Sequence, residues 1–405
     1  MIKRWIEKDL MDALAARRGV HLTGARQSGK TTLTKMLELP SVRQLSLDDE
    51  TMLDAARLSP SDFVDRGEAK TLIIDEIQKA PELLNAIKIN VDRDNVKGQY
   101  LLTGSANLRF VKSVKDSLAG RFATIRLRTL AIGEANGRKP EFLVRAFEGC
   151  FDKNAGMFSK KDVLHSAFAF GYPEQIELST KERRRWHRGY LSDLLSRDVR
   201  DVTQIRKVET LSQMAEWLMA HTAQFFSVEE LCAKLSVSKV TAETYLDTLK
   251  ALYLFDRIPA WGKSDYDRIG KRPKWVASDP GLVASALRWN EDDMMLSPQS
   301  GKFIETWVYH ELASIADASG DYVIEHYKDR YGREIDYVVE DDAGNVLGIE
   351  VKSGSRVGAE DFKHLKWFEE NLAERGFVGI VLYTGSEVLS FGERLYAVPM
   401  ACLVN

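Results

Sequence analysis

A chain of 405 residues is longer than one ordinary hydrophobic core serves, so the length predicts roughly two to four domains. Its 44% hydrophobic and 29% charged residues are globular proportions, so no long stretch need be disordered. A formal net charge of −3 excludes a whole-molecule pull toward nucleic acid or membrane, so any such binding must come from a local patch.

Cys150, Cys232 and Cys402 lie far apart, with neither the paired spacing of a zinc site nor the density of a disulfide scaffold, which predicts a reducing compartment. At the N-terminus Lys3, Arg4, Glu7, Lys8, Asp9 and Asp12 interrupt the apolar residues, so no signal-peptide core forms. No apolar run approaches the roughly 20 residues that span a bilayer. A soluble, cytoplasmic protein without a membrane partner is expected.

Residues 19–23 (GVHLT) read as a short strand and run into GARQSGKT: Gly24, Ala25, Arg26, Gln27, Ser28, Gly29, Lys30 and Thr31. This is the full phosphate-binding loop, with a helix expected from Thr32 to Leu39. Its glycines let backbone N–H groups turn inward to cradle phosphates, and the helix presents its positive end to them. Lys30 is expected on the β- and γ-phosphates, and Thr31 on Mg²⁺, a hard cation that takes oxygen ligands. A glycine-rich turn without a ligand is the alternative, and a second motif weighs against it. Residues 71–76 (TLIIDE) form an apolar strand ending in two acids, Asp75 to hold Mg²⁺ and Glu76 to orient or deprotonate water. A third strand, Tyr100 to Leu102, ends in Thr103, Gly104 and Ser105, with Ser105 favoured over Thr103 as a γ-phosphate sensor.

GARQSGKTTL, LIIDEIQKAPELLNAIK and LLTGSANL resemble a family of bacterial and archaeal AAA-type ATPases with an uncharacterised C-terminal region. The resemblance continues through SLAGRFATIRLRTLAIGE (117–134) and GYPEQ (171–175) and spans nearly the whole chain. It implies ATP rather than GTP, an αβα sheet followed by a helical lid, and Arg121 as the arginine acting on the γ-phosphate. Arg121 would act within the chain or across the interface of a homo-oligomer, with Arg126 and Arg128 as competitors. The family's GGxP is here Gly171, Tyr172, Pro173, which lacks the second glycine.

Residues 181–190 (KERRRWHRGY), followed by Arg197 and Arg200, read as a solvated lid helix whose Trp186 and Tyr190 face the core; a nucleic-acid backbone is the alternative ligand. Residues 227–235 (SVEELCAKL), a tight turn and residues 238–252 then have helix-turn-helix spacing. In the second helix Val240, Tyr245, Leu246, Leu249 and Leu252 are expected inward, leaving Lys239, Thr241, Thr244 and Thr248 outward. A hairpin over 253–277 completes a winged-helix pattern with Lys263, Arg268, Lys271, Arg272 and Lys274 on or near the wing, a candidate DNA surface. Packing between domains is the alternative use of this unit.

Residues 333–340 and 346–352 read as two strands joined by a turn over 341–345. Glu350 and Lys352 share a face, and with Asp336 and Glu305 they form an E, D, ExK set that resembles the PD-(D/E)xK nuclease fold. Such carboxylates can hold a second divalent metal beside a phosphate. They can equally form a charge network that needs no metal.

The expected architecture is an α/β chain with four parts: a P-loop αβα ATPase core (1–135), a helical lid (136–205), a winged-helix domain (206–285) and a restriction-endonuclease-like α/β domain (286–405). The expected function is ATP hydrolysis with Mg²⁺, coupled to DNA, including branched or unpaired DNA. The alternatives are an ATP-regulated, metal-dependent DNA nuclease and an ATP-switched signalling ATPase that recruits a protein.

Overall fold

The computed structural model describes residues 2–105, 118, 120–152, 156–199, 207–373 and 376–405. Arg200, and residues 106–108, 117 and 119 of the motifs quoted above, lie outside the described residues.

The N-terminal region is a parallel sheet of β1 (Gly19–Thr23), β2 (Val42–Ser46), β3 (Thr71–Asp75), β4 (Tyr100–Gly104) and β5 (Phe122–Arg126), in the order β2-β3-β4-β1-β5. Strands β1, β3 and β4 are buried throughout, as continuous apolar runs in a covered parallel sheet should be. Alternation along each strand then divides the side chains between two cores. Val20, Leu22, Ile73 and Leu101 pack under α1 (Glu7–Ala16) and α2 (Lys30–Met36). Leu72, Ile74, Tyr100 and Leu102 face the opposite side, which holds α3 (Glu50–Leu58) and α4 (Leu83–Arg93). Parallel pairing brings every strand's carboxyl end to one edge, where the site lies.

The next region is helical: α5 (Phe142–Glu148), α6 (Lys160–Ala169), α7 (Thr180–Asp193), α8 (Val208–Ala220), α9 (Val228–Leu235) and α10 (Lys239–Ala251). Capping boxes at Ser159/Asp162, Ser179/Glu182 and Ser227/Glu230 start α6, α7 and α9. An antiparallel ribbon of β6 (Phe255–Ile258) and β7 (Lys274–Ala277) follows. Next come α11 (Pro280–Ala286) and α12 (Glu291–Leu296), which fold back against α6 and α7.

The last region is a mixed sheet in the order β12-β13-β11-β10-β9-β8. Its strands are β8 (Tyr322–Lys328), β9 (Glu334–Asp341), β10 (Val346–Lys352), β11 (Phe377–Tyr383), β12 (Leu389–Ser390) and β13 (Leu395–Pro399). Helix α13 (Ser300–Ser319) covers one face and α14 (Lys363–Asn371) the other. Nearly every residue of α13 from Phe303 to Ala316 is buried, so this helix is enclosed on all sides. One continuous core therefore runs from Ala25 through α5–α7, α8–α10 and α13 to Val404. The three downstream regions share this core, and the C-terminal sheet closes a second one on its other face, where Ile335, Val338, Phe377 and Val381 pack with Leu365 and Phe368 of α14.

A buried charge cluster joins the regions. Asp256 on β6 receives Arg126 at 2.6 Å and Arg128 at 2.7 Å from the edge of the first sheet, and the Tyr309 hydroxyl of α13 at 3.0 Å. Arg128 also meets Asp317 at 2.6 Å. Burial opposes ionisation of Asp256, yet the two guanidinium groups hold its carboxyl well below the usual range. Asp256→Ala would leave Arg126 without its carboxylate and Arg128 with Asp317 alone, and a loss of about 3 kcal/mol is expected in chemical denaturation. A loss under about 1 kcal/mol would mean that solvent already reaches the pair.

Candidate functional site

The loop after β1 turns on two glycines. Gly24 has φ +154°, and a Cβ there would meet the Leu127 carbonyl oxygen at 2.1 Å. Gly29, at φ +99°, opens α2 in a left-handed conformation that side chains disfavour. The buried Lys30 ammonium folds back over the loop, donating to the carbonyls of Gly24 at 3.0 Å and Ala25 at 2.9 Å. Burial lowers its pKa to about 8, against the pull of Glu76 and Asp75.

The three strand ends meet here. The Thr31 hydroxyl donates to Asp75 Oδ2 at 2.8 Å, and Thr103 bonds the other Asp75 oxygen. Glu76 is left-handed at φ 58°, a conformation supported by its N–H donating to Thr103 Oγ1 at 3.3 Å. The Gln78 amide donates to the Glu76 carboxylate and, at 3.0 Å, to Ser105 Oγ. The structure thus brings together Lys30, Thr31, Asp75, Glu76 and Ser105. These groups fit a magnesium–nucleotide complex: a hydroxyl and a carboxylate already in contact, an ammonium over a glycine loop, and a second carboxylate beside them.

Sequence reasoning missed several supports of the loop. Buried Arg4 donates to the carbonyls of Ser28 and Arg128, each at 2.7 Å, and pairs with Glu134 at 2.9 Å. Gln78 links Glu76 to Ser105, and its position two residues after the acids was the available signal. Arg26 pairs at 2.7 Å with Asp198, delivered by a π-helical turn over Leu194–Asp198 at the end of α7. Thr23 hydrogen-bonds the Tyr253 hydroxyl just before β6.

Two cavities flank the loop. One, of about 430 Å³, borders Gly29 and Thr32 and is lined by Ile2, Leu33, Leu130 and Pro173. The other, of about 420 Å³, borders Arg26 and Gln27 under Trp186 and Tyr190 of α7. Those rings stack at 5.2 Å and pack on Tyr172, so the aromatic face of the basic helix points inward. Lys181, Arg185 and Arg188 stay exposed. Gly171 is required by packing: a Cβ would meet Asp279 Oδ2 at 2.1 Å, and Asp279 Oδ1 caps α11.

Arg121 is not in this group. It precedes β5, whose first residue pairs with Gly19 at the start of β1, and it is held by Asp92 at 2.6 and 2.8 Å. The phosphate loop leaves the other end of β1, about 13 Å along the strand. A within-chain γ-phosphate role for Arg121 is therefore corrected by strand polarity. Arg126 and Arg128 lie at the correct end but are engaged by Asp256.

The surface expected to meet DNA is divided. On α10, Val240 is 74% exposed and Thr248 is buried, reversing the expected positions of both, because Ala242 turns to the core in place of Val240. Lys239 and Thr244 are exposed, Thr241 is half-buried, and Lys239 pairs with Glu229 at 3.2 Å. The segment between β6 and β7 leans on the C-terminal sheet: Ala260 bridges to His326, and Trp261 packs on Phe368 at 4.7 Å. Arg268 is thereby drawn to Glu325 at 3.6 Å and Glu340 at 3.3 Å, and Lys271 donates to the Trp261 carbonyl at 3.2 Å. Lys263 and Arg272 remain exposed, whereas Lys274 is fully buried.

Burial lifts Glu325 from the ordinary 4.5 to about 7, with Arg268 opposing. A carboxyl raised on folding contributes stability that is complete below pH 4.5 and lost as pH climbs through 7. Glu325→Gln should therefore lose less melting temperature than wild type between pH 5 and 7.5; parallel pH curves would refute this assignment.

In the C-terminal region Glu305, Asp336, Glu350 and Lys352 do converge, on a cavity of about 620 Å³. Two further lysines join them. Lys274 contacts Glu305 and lies 3.5 Å from Asp336, and Lys302 meets Glu305 at 2.6 Å. Lys352 lies 3.6 Å from Glu350 and 3.7 Å from Asp361. Burial, then Asp336, pushes Glu305 up to about 7. Lys274 is raised despite its burial because Glu305 and Asp336 face it. Each of the three carboxylates thus faces an ammonium, which competes with a divalent metal for the same oxygens. Among the described residues no group of three or more His, Cys, Asp or Glu side chains is arranged to hold one.

Residues 16–136 match the family described as AAA domain. Residues 161–293 and 300–403 match two domains of unknown function, DUF8612 and DUF4143. The chain is 26% identical over 397 residues to Uncharacterized protein Mb2031c of Mycobacterium bovis and to Uncharacterized protein Rv2008c of Mycobacterium tuberculosis, covering 96% of this chain and 82% of each relative. Among solved structures, the Walker-type ATPase PABY2304 of Pyrococcus abyssi aligns with a TM-score of 0.40 at 15% identity, over 70% of this chain and 94% of that one. The STAND protein PH0952 of Pyrococcus horikoshii aligns with a TM-score of 0.29 at 11% identity, over 78% of this chain and 45% of that one. The AAA-domain match covers the residues that form the loop and the strand-end acids. Among the described residues no helix is long and apolar enough to cross a membrane.

Proposed function

We propose that the protein hydrolyses ATP at the Gly24–Thr32 loop and uses the cycle to shift its lid and C-terminal regions against the first sheet. The observation that carries this reading is the linked set Thr31–Asp75–Thr103 and Glu76–Gln78–Ser105, formed by three strand ends. The adenine fits the cavity beside Gly29 and Thr32, since the helix-side end of the loop takes the α-phosphate. Lys30 exchanges its two carbonyl partners for phosphate oxygens. Thr31 and Asp75 would hold the magnesium, which would supply positive charge to the phosphates. Glu76, steadied by Gln78, orients the attacking water and accepts its proton, while Ser105 faces the γ-phosphate.

The contacts Arg26–Asp198 and Thr23–Tyr253 are the routes by which loop occupancy reaches the lid and the β6–β7 ribbon. We read α8–α10 with that ribbon as a winged helix. DNA contact rests on the exposed first turn of α10, with Lys239 and Thr244, and on Lys263 and Arg272. Exposed Glu229 and Glu243 beside that turn weigh against it. ATP turnover measured alone and with duplex, single-stranded, forked and four-way-junction DNA at low salt tests the whole reading. Turnover that one DNA form stimulates supports a DNA-coupled ATPase. Turnover indifferent to all forms, with ATP-dependent capture of a protein that survives nuclease digestion, identifies a signalling switch. No turnover in any condition refutes the proposal.

A further inference from the structure

We infer that Lys274 is the resident cation of the C-terminal carboxylate cluster, holding by its ammonium the place a divalent metal would need and clamping the β6–β7 ribbon to the C-terminal sheet. Lys274 opens β7, where it pairs with Ile258 of β6, so its backbone belongs to the ribbon and not to the sheet it enters. Its side chain is completely enclosed, passing the rings of Phe225 and Tyr337 to reach Glu305 of α13 and Asp336 of β9. It also donates to the Asp336 carbonyl at 3.2 Å. The other Asp336 oxygen is taken by the Val351 N–H at 2.9 Å.

A buried ammonium persists only when opposite charge surrounds it, and crowded buried carboxylates ionise only when a cation sits among them. Lys274 supplies that charge to Glu305 and Asp336. Lys302 and Lys352 cover the outer oxygens of Glu305 and Glu350, which leaves the inner position to Lys274. A divalent ion entering from the cavity that Glu305, Asp336 and Glu350 line would compete for their oxygens with an ammonium whose backbone is fixed in a strand and which is itself closed to water. The cluster is therefore a clamp that couples the ribbon, and through Asp256 the first sheet, to α13 and β9.

The test uses the full chain without nucleotide, titrated with Mn²⁺ and followed by thermal unfolding and by the EPR signal of bound Mn²⁺. Wild type and Glu350→Gln should give the same curves, any Mn²⁺ at the phosphate loop contributing equally to both. Lys274→Met, similar in length and uncharged, should melt lower without metal. It should then gain an extra bound Mn²⁺ and a rise of about 3 °C or more in Tm at saturating metal. Lys274→Met/Glu350→Gln should lose both gains. A wild-type Mn²⁺ that Glu350→Gln removes, or a folded Lys274→Met that gains none, overturns the inference. Should Lys274→Met fail to fold, the wild-type and Glu350→Gln comparison decides alone: equal Mn²⁺ supports the clamp, and a loss in Glu350→Gln refutes it.

Discussion

Lys30→Ala should weaken nucleotide binding at least about a hundredfold, because a charge-assisted contact to two phosphates disappears from a dry site. The variant should not unfold. Lys30 is 4% exposed and burial lowers its pKa to about 8, so the fold carries this charge at a cost instead of resting on it. Removing it should leave Tm equal to or above that of wild type, while calorimetric titration with ATP and magnesium shows no measurable heat of binding. This pairing of retained stability with lost affinity separates a ligand-binding lysine from a structural one. Affinity within threefold of wild type would end the nucleotide reading altogether.

Glu76→Gln should lower ATP turnover by about 10²–10⁴-fold with nucleotide affinity preserved, since an amide orients water but accepts no proton from it. Local geometry should survive the change: the carbonyl oxygen of the new side chain can accept from the Gln78 amide as the carboxylate does. ATP should then raise the Tm of the variant and hold it raised, whereas in wild type the effect decays as nucleotide is consumed. Single-turnover measurements distinguish the cases. A variant that turns over at the wild-type rate would move the base to another group and leave Glu76 a purely structural acid.

The inward face of α7 was legible in the chain. Trp186 and Tyr190 stand four apart, and their inward face follows from helical period alone. The position of α11 and α12 against α6 and α7 was not legible, because it requires the chain to return across residues more than 90 positions away, and no local pattern records that return. The same holds on α10. Period placed Tyr245, Leu246 and Leu249 correctly inward, but the choice between Val240 and Ala242 at its start depends on which helix face meets α9, a tertiary matter.

What the sequence by itself determined was the chemistry carried by residues close in the chain. A glycine loop between a strand and a helix, and an apolar strand ending in two acids, specify a phosphate cradle and its carboxylates, since strand direction alone carries both motifs to the same edge of a parallel sheet. Tertiary structure decided everything that depended on which end of a strand, or which neighbouring segment, a residue would meet. It turned Arg121 to the far edge beside Asp92, spent Arg268 on Glu325 and Glu340, set Arg4 behind the loop, and buried Lys274 among Glu305 and Asp336. For Arg4 and Lys274 the physical reason is that a charged side chain removed from water must find its partner wherever the packed backbone brings one; Arg121 and Arg268 stay partly exposed and pair with the acids that tertiary structure sets beside them, tens of residues away in the chain.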